Sequence, residues 1–314
     1  MANWRSLPPY ELISYVLMFA SVPMLAYGIQ PYSYGLIGII VLTILTLYSG
    51  FFAALIWNDI TDSDIDAIAH PNRPLPSGII DRKRFFQVAL IFSVLTFVFA
   101  LAISLVCFVV TGIAALFVFF HNKYLKRRMN FPAYSEICNP FQWVVVVIFG
   151  YCALWTVYPQ STDVVITAPI LGTLSAGYLE ILQMFLLVLF TYFADTAHDI
   201  AEGVHDADAD FRYGVRTYAT TLGKKKTLTL SFIMFGISGF SGMVLFLLSI
   251  LSLIFFILFS LVLTYTFFSA IIHIGSKPEN IEEYGAFVGR RFYDYFLITY
   301  DIVFIDIIIQ ILVL

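Results

Sequence analysis

Residues 85–120 contain no charged side chain. As a single helix this segment would run about 54 Å at 1.5 Å per residue, against a bilayer hydrocarbon core about 30 Å thick. One straight span therefore does not accommodate it, and a tight hairpin is expected near Ser104. Comparable apolar runs recur along the chain, which is 60% hydrophobic and 12% charged over 314 residues, with mean hydropathy +0.89. Soluble globular domains carry about 25% charged residues, so an ordinary water-soluble fold is excluded. The apolar runs predict nine spanning helices, at 10–28, 34–57, 83–103, 104–121, 140–157, 178–197, 227–248, 250–273 and 292–313. The stretch 164–177 is too short and glycine-rich to span and is expected in or on the membrane interface. The first run has no convincing small-residue cleavage site and reads as a retained span. The expected architecture is one all-α integral membrane domain, 1–314, with pseudo-halves of about 1–157 and 158–314. Cys107, Cys138 and Cys152 form no CxxC pair, so neither a disulfide framework nor a zinc knuckle is indicated.

With nine spans, all 17 Lys and Arg fall on one side. They lie before helix 1 or between helices 2 and 3, 4 and 5, 6 and 7, and 8 and 9. The positive-inside bias makes that side cytoplasmic, with the C-terminus on the opposite face. Most of the acids lie on the same side. The net charge of −4 thus conceals a polarised molecule.

Two acidic clusters stand out. Asp59, Asp62 and Asp66 are spaced 0, +3, +7 after helix 2, and Asp199, Glu202 and Asp206 repeat that spacing after helix 6, with Asp210 four further on and Asp195 and Asp208 nearby. On a helix each set occupies an arc of roughly 80°, so like charges stack together and repel. A cation relieves that repulsion. An oxygen-only donor set suits Mg²⁺, which is typically shared between carboxylates and substrate phosphates, and the implied ligand is a metal-bound diphosphate. Asp206-Ala-Asp208-Ala-Asp210 lacks the glycine and distal glutamate of a calcium loop. A solvated interfacial face accounts for one such cluster alone, but not readily for two with repeated spacing at the ends of even-numbered helices.

The segment Asn58–Gly78, NDITDSDIDAIAHPNRPLPSG, resembles the first signature of the UbiA superfamily of intramembrane prenyltransferases, and Asp199–Thr217, DIAEGVHDADADFRYGVRT, is similar to the second. Asp206 and Asp210 match the DxxxD, and Gly214 and Thr217 the end of that motif. At Gly203 the sequence departs from the family, where related sequences often carry another acid. The resemblance implies a helical bundle around a central cavity open to the cytoplasmic side and laterally to lipid, with two Mg²⁺ ions bridging an isoprenyl diphosphate. Carried over by residue, Asn58, Asp59, Asp62 and Asp66 serve one metal site and Asp199, Asp206 and Asp210 the other. Asp59, Asp62, Asp66, Asp206 and Asp210 are the catalytic set, and Asn58, Arg73, Lys123 and Lys126 the diphosphate contacts. The expected partners are a polyprenyl diphosphate donor, a lipophilic acceptor and membrane lipid. Neither nucleic acid nor a protein partner is inferred.

Ionising an allylic diphosphate creates a leaving charge that Mg²⁺, Arg and Lys neutralise, and a cation that aromatic faces stabilise. With 32 Phe and 19 Tyr, no periodic stripe marks which of them face the cavity. The NRPLPSG tail most resembles enzymes that prenylate glycerol phosphate lipids or chlorophyllide. Quinone-precursor enzymes often carry a basic residue deep in helix 1, whereas Ser6–Gln30 contains no Lys or Arg. The same motifs also fit a terpene cyclase that uses the donor alone. A transporter predicts midplane charges along a path rather than acids at one face. Of the other polar residues, Glu11 and Glu180 are expected at helix ends, Asp301 and Asp306 paired with Tyr or Trp, Lys224–Lys226 against anionic lipid, and His198 and His205 as bystanders, with His205 a possible proton acceptor.

Overall fold

A hairpin forms at Ser104. Its backbone is extended (φ −166°), and its Oγ accepts the Cys107 N–H at 3.2 Å and the Thr156 hydroxyl at 3.1 Å. This cap ends one helix and starts the next inside a continuous apolar run. The computed structural model describes residues 8–63, 67, 71–125, 128, 129, 131, 133–159, 161–212, 214–275 and 280–313. Among them are nine helices long and apolar enough to cross a membrane. These are α1 Pro9–Tyr27, α2 Tyr34–Thr61, α3 Arg82–Ile103, α4 Leu105–Phe120, α5 Phe141–Val157, α6 Tyr178–Arg212, α7 Lys224–Leu248, α8 Leu253–Gly275 and α9 Ile281–Val313. A π-helical turn, His121–Leu125, extends α4, and short helical turns at Tyr134–Cys138 and Tyr218–Leu222 precede α5 and α7.

Two helices run well past their sequence-predicted ends. Helix α6 continues to Arg212 instead of stopping near 197, and α9 starts at Ile281 instead of 292. The charges that marked those ends are paired along the helices and do not break them. Arg290 lies 2.7 Å from Glu11 and 3.2 Å from Asp294, and Lys224 is held by Asp208 at 2.9 Å and by Glu282. Lys224 is thus tied to two carboxylates rather than being the lipid anchor expected of it. The segment 164–177, expected not to span, holds the only strands among the described residues. It forms an antiparallel hairpin, β1 Val164–Ala168 with β2 Gly172–Ala176, Val164 opposite Ala176, as its β-branched run favours.

Helices α1, α2, α5, α6 and α9 form a ring in which α1 touches α2, α5 and α9, α5 touches α2 and α6, and α6 touches α9. Helix α3 packs on α2, α4 on α3 and α5, α7 on α6, and α8 on α9. Two glycines one turn apart bring α9 against α6. A Cβ at Gly285 would lie 2.8 Å from the Ala201 carbonyl oxygen, and one at Gly289 would lie 2.9 Å from the Glu202 nitrogen. Small residues at this spacing permit close backbone approach between membrane helices.

The intramembrane acids find partners other than the Tyr and Trp expected. Asp306 is fully buried and accepts the N–H groups of Ser252 at 2.9 Å and Phe255 at 3.2 Å, together with the Ser252 hydroxyl and the Gln310 amide. It caps the orphan donors at the start of α8. Asp301 accepts the Ser14 hydroxyl at 2.7 Å. Glu11 and Glu180 do sit in first turns, of α1 and α6, and Glu180 accepts the Trp155 indole N–H at 2.9 Å.

Candidate functional site

The first acid cluster closes α2. Asn58 and Asp59 occupy its last turn, and Asp62 caps it, its N–H bonding the Asn58 carbonyl at 2.9 Å. Asn58, Asp59 and Asp62 are the members of the set that the structure describes, and Asp66 lies outside the described residues. Asp59 and Asp62 are both buried. Arg73, in the turn that follows, places Nη1 3.8 Å from Asp59 Oδ1, an ion pair longer than a direct hydrogen bond. Arg82 reaches the Ile60 carbonyl at 3.4 Å and ties the start of α3 to the end of α2.

The second cluster is carried by one helix. Asp195, Asp199, Glu202, Asp206, Asp208 and Asp210 all lie on α6, with Asp195 buried and Asp206 exposed. Asp208 turns away to Lys224 at 2.9 Å. His198 is more than a bystander. Its Nε2 lies 3.4 Å from Glu202 and 3.9 Å from Asp199, while Nδ1 is 3.1 Å from the Gly289 carbonyl, so it fastens the acid face to α9. His205 is exposed on the same helix.

Lys123 stands in the π-helical turn with its ammonium 5.2 Å from the Phe119 ring centre and 5.3 Å from that of Tyr124. Lys126 lies outside the described residues. Beneath the acids, a chain of aromatic rings crosses all five ring helices. Phe51 of α2 and Trp143 of α5 lie 4.6 Å and 5.5 Å from Tyr15 of α1, Trp143 is 5.6 Å from Phe296 of α9, and His198 of α6 is 4.6 Å from Tyr293. The Tyr15 and Tyr293 hydroxyls bond each other. A cleft of about 380 Å³ opens between α1 and α9, lined by Tyr10, Ser14, Asp294 and Asp301 together with aliphatic side chains.

Among the described residues, no three Asp, Glu, His or Cys side chains converge closely enough to hold an ion as they stand. The donor chemistry nevertheless fits a hard cation. Asp195 Oδ2 and Glu136 Oε1 are buried carboxylate oxygens without a hydrogen-bond partner, a costly arrangement that coordination relieves. Helices α2 and α6 each pack on α5.

Two contributors are absent from the sequence-derived set of site residues. Asp195 precedes Asp199 by four, and that one-turn spacing was a usable signal. Glu136 comes from the short segment before α5 and accepts the Tyr218 backbone N–H. It is remote in sequence from the clusters, and no local periodicity points to it.

A sequence profile described as the UbiA prenyltransferase family matches residues 14–285. The digeranylgeranylglyceryl phosphate synthase of Methanococcus aeolicus is 30% identical over 212 residues, covering 66% of this chain and 64% of the relative. The corresponding synthase of Pyrococcus horikoshii is 27% identical over 188 residues, covering 60% and 58%. The chain thus spans less than two thirds of the length of these relatives. Among solved structures, a UbiA homolog from Aeropyrum pernix superposes with TM-score 0.68 at 17% identity, covering 93% of this chain and 99% of that one. A UbiA homolog from Archaeoglobus fulgidus bound to GPP and Mg²⁺ gives TM-score 0.58 at 16% identity, covering 93% and 97%. These likenesses establish the fold as a multi-pass helical membrane bundle.

Proposed function

Because this chain belongs to the UbiA prenyltransferase family, we propose that it transfers a prenyl group, geranylgeranyl in our reading, from its diphosphate to a lipophilic acceptor within the bilayer. The observation that carries this reading is the pair of carboxylate sets closing α2 and α6, both helices packed on α5 above an aromatic chain. Asn58, Asp59, Asp62 and Asp66 would hold one magnesium ion and Asp199, Asp206 and Asp210 a second; when bound, the ions neutralise charge on the leaving diphosphate. The protein's own groups do the rest. Arg73, beside Asp59, and Lys126 donate to diphosphate oxygens, and Lys123 joins them by leaving its aromatic neighbours. Tyr15, Phe51, Trp143 and Phe296 exclude water from the allylic cation and present ring faces to it. The acceptor hydroxyl attacks the cation, and its proton leaves with the diphosphate.

We assign geranylgeranylglyceryl phosphate as the acceptor. The relatives named as digeranylgeranylglyceryl phosphate synthases support this, as does the absence of Lys and Arg from Ser6 to Gln30, which disfavours an aromatic acid. The largely apolar cleft between α1 and α9 suits entry from the membrane, and the acid-bearing helix ends face the cytoplasm in this reading. Product analysis tests the assignment. Full-length protein in nanodiscs is incubated with Mg²⁺ and geranylgeranyl diphosphate, with and without geranylgeranylglyceryl phosphate, and lipids are followed by mass spectrometry. An adduct that requires the acceptor is expected. A cyclic hydrocarbon or alcohol formed from the donor alone would replace the transferase by a cyclase.

A further inference from the structure

On the acid face of α6 the positions recur as Asp195, Asp199, 203, 206 and 210, each three or four residues from the last, so one helical side carries them all. Position 203 is the gap, being glycine. The space above it is not empty. A Cβ at Gly203 would lie 3.1 Å from Oε1 of Glu136, which comes from the segment before α5. Glu136 is 4% exposed, Oε2 is anchored by the Tyr218 N–H, and Oε1 has no hydrogen-bond partner. Asp199 and Asp210, which share its sign, lie on the same side of α6 as Gly203. No Lys or Arg among the described residues pairs with it.

The segment is also fixed in place. The Tyr192 hydroxyl donates to the Ile137 carbonyl at 3.2 Å, and Glu136 itself accepts the Tyr218 N–H. Two ties thus hold one carboxylate oxygen, buried and unpartnered, over the acid-bearing side of α6. Such an arrangement is unfavourable in an ion-free protein and favourable around a divalent cation. The side-chain-free residue at 203 is what makes room for it.

We propose that Glu136 supplies, from a different segment, the carboxylate that position 203 lacks, and ligates a divalent cation together with Asp199 and Asp210. This rests on the metal-site reading above and adds a ligand to it. Asp206 extends the same face one turn on. Gln at position 136 keeps an acceptor for the Tyr218 N–H while removing the charge, so Glu136→Gln separates ligation from support of the fold.

The test uses the full chain in nanodiscs with Mn²⁺ as the sole probe, its binding followed by electron paramagnetic resonance and apo stability by thermal melting. Glu136→Gln is expected to weaken Mn²⁺ binding about tenfold or more with the apo melting temperature unchanged. Adding Gly203→Asp to that variant is expected to restore binding, because the new carboxylate stands where Glu136 pointed and the Gln amide can donate to it. Parental Mn²⁺ affinity in Glu136→Gln, while Asp206→Asn loses binding, overturns the proposal and leaves the metal-site reading standing. A lowered apo melting temperature without rescue by Gly203→Asp overturns it in favour of a structural role. Undiminished binding in Asp206→Asn and Glu136→Gln alike overturns both.

Discussion

The Glu11 carboxylate, in the first turn of α1, lies 2.7 Å from the Arg290 guanidinium, in the third turn of α9, with Glu11 2% exposed and Arg290 44%. Arg290 also reaches Asp294 and Tyr10, so one guanidinium fastens the two ends of the ring together. Removing it strands a buried carboxylate, whereas removing Glu11 leaves a half-exposed cation that Asp294 still pairs. Arg290→Met is therefore expected to destabilise by roughly 1–3 kcal/mol, more than Glu11→Gln, the exposure of Arg290 reducing the cost from that of a fully buried pair. Thermal melting of both variants in the same detergent checks the order.

Gly285 and Gly289 set the distance between α9 and the acid-bearing turns of α6. A methyl at either would come within 3 Å of α6 backbone, where no side chain can rotate away. Gly289→Ala is expected to cost about 1–3 kcal/mol and to lower Mn²⁺ affinity, since Glu202 and His198 shift with the helix. Gly236→Ala meets nothing within 4 Å and serves as the neutral control.

How much of this was legible in advance depended on whether charges were paired nearby. Ser104 was readable because an uncharged run longer than a bilayer must be interrupted, and the serine is its cap. The extent of α6 and α9 was not readable. Arg290 looked like a boundary until Glu11, 279 residues earlier, was found to neutralise it. Asp59, Asp62, Asp199, Asp206 and Asp210 were visible through spacing on their own helices. Glu136 joins them only through tertiary packing, and sequence periodicity carries no trace of that. The aromatic chain was hidden for a similar reason: Tyr15, Phe51, Trp143 and Phe296 come from four helices and share no stripe.

Asp306 reports on stability apart from chemistry. Its oxygens accept two backbone N–H groups at the start of α8, and the residue is fully buried. Asp306→Leu leaves those donors without partners, and a loss of about 1.5–3 kcal/mol is expected. Donor KM at a temperature well below the transition is expected to stay unchanged, which steady-state kinetics beside a melting curve would establish.

Trp143 links α1 and α9 through Tyr15 and Phe296. If these rings stabilise a cation, Trp143→Leu removes roughly 0.5–2 kcal/mol from the transition state, about two- to thirtyfold in kcat, with donor KM little changed. An increase in KM alone would place the ring against bound prenyl chain instead of at the reacting carbon.

In the proposed mechanism the acids of α2 and α6 act together on one metal-bound prenyl diphosphate. This joint action is tested most directly by diphosphate release from geranylgeranyl diphosphate in the presence of acceptor, with and without Mg²⁺, for the parent, Asp62→Asn and Asp206→Asn. The expected result is release that requires Mg²⁺ and falls about a hundredfold or more in each variant, although they lie on different helices. Release that survives chelation of the metal, or persists undiminished in both variants, would contradict the claim.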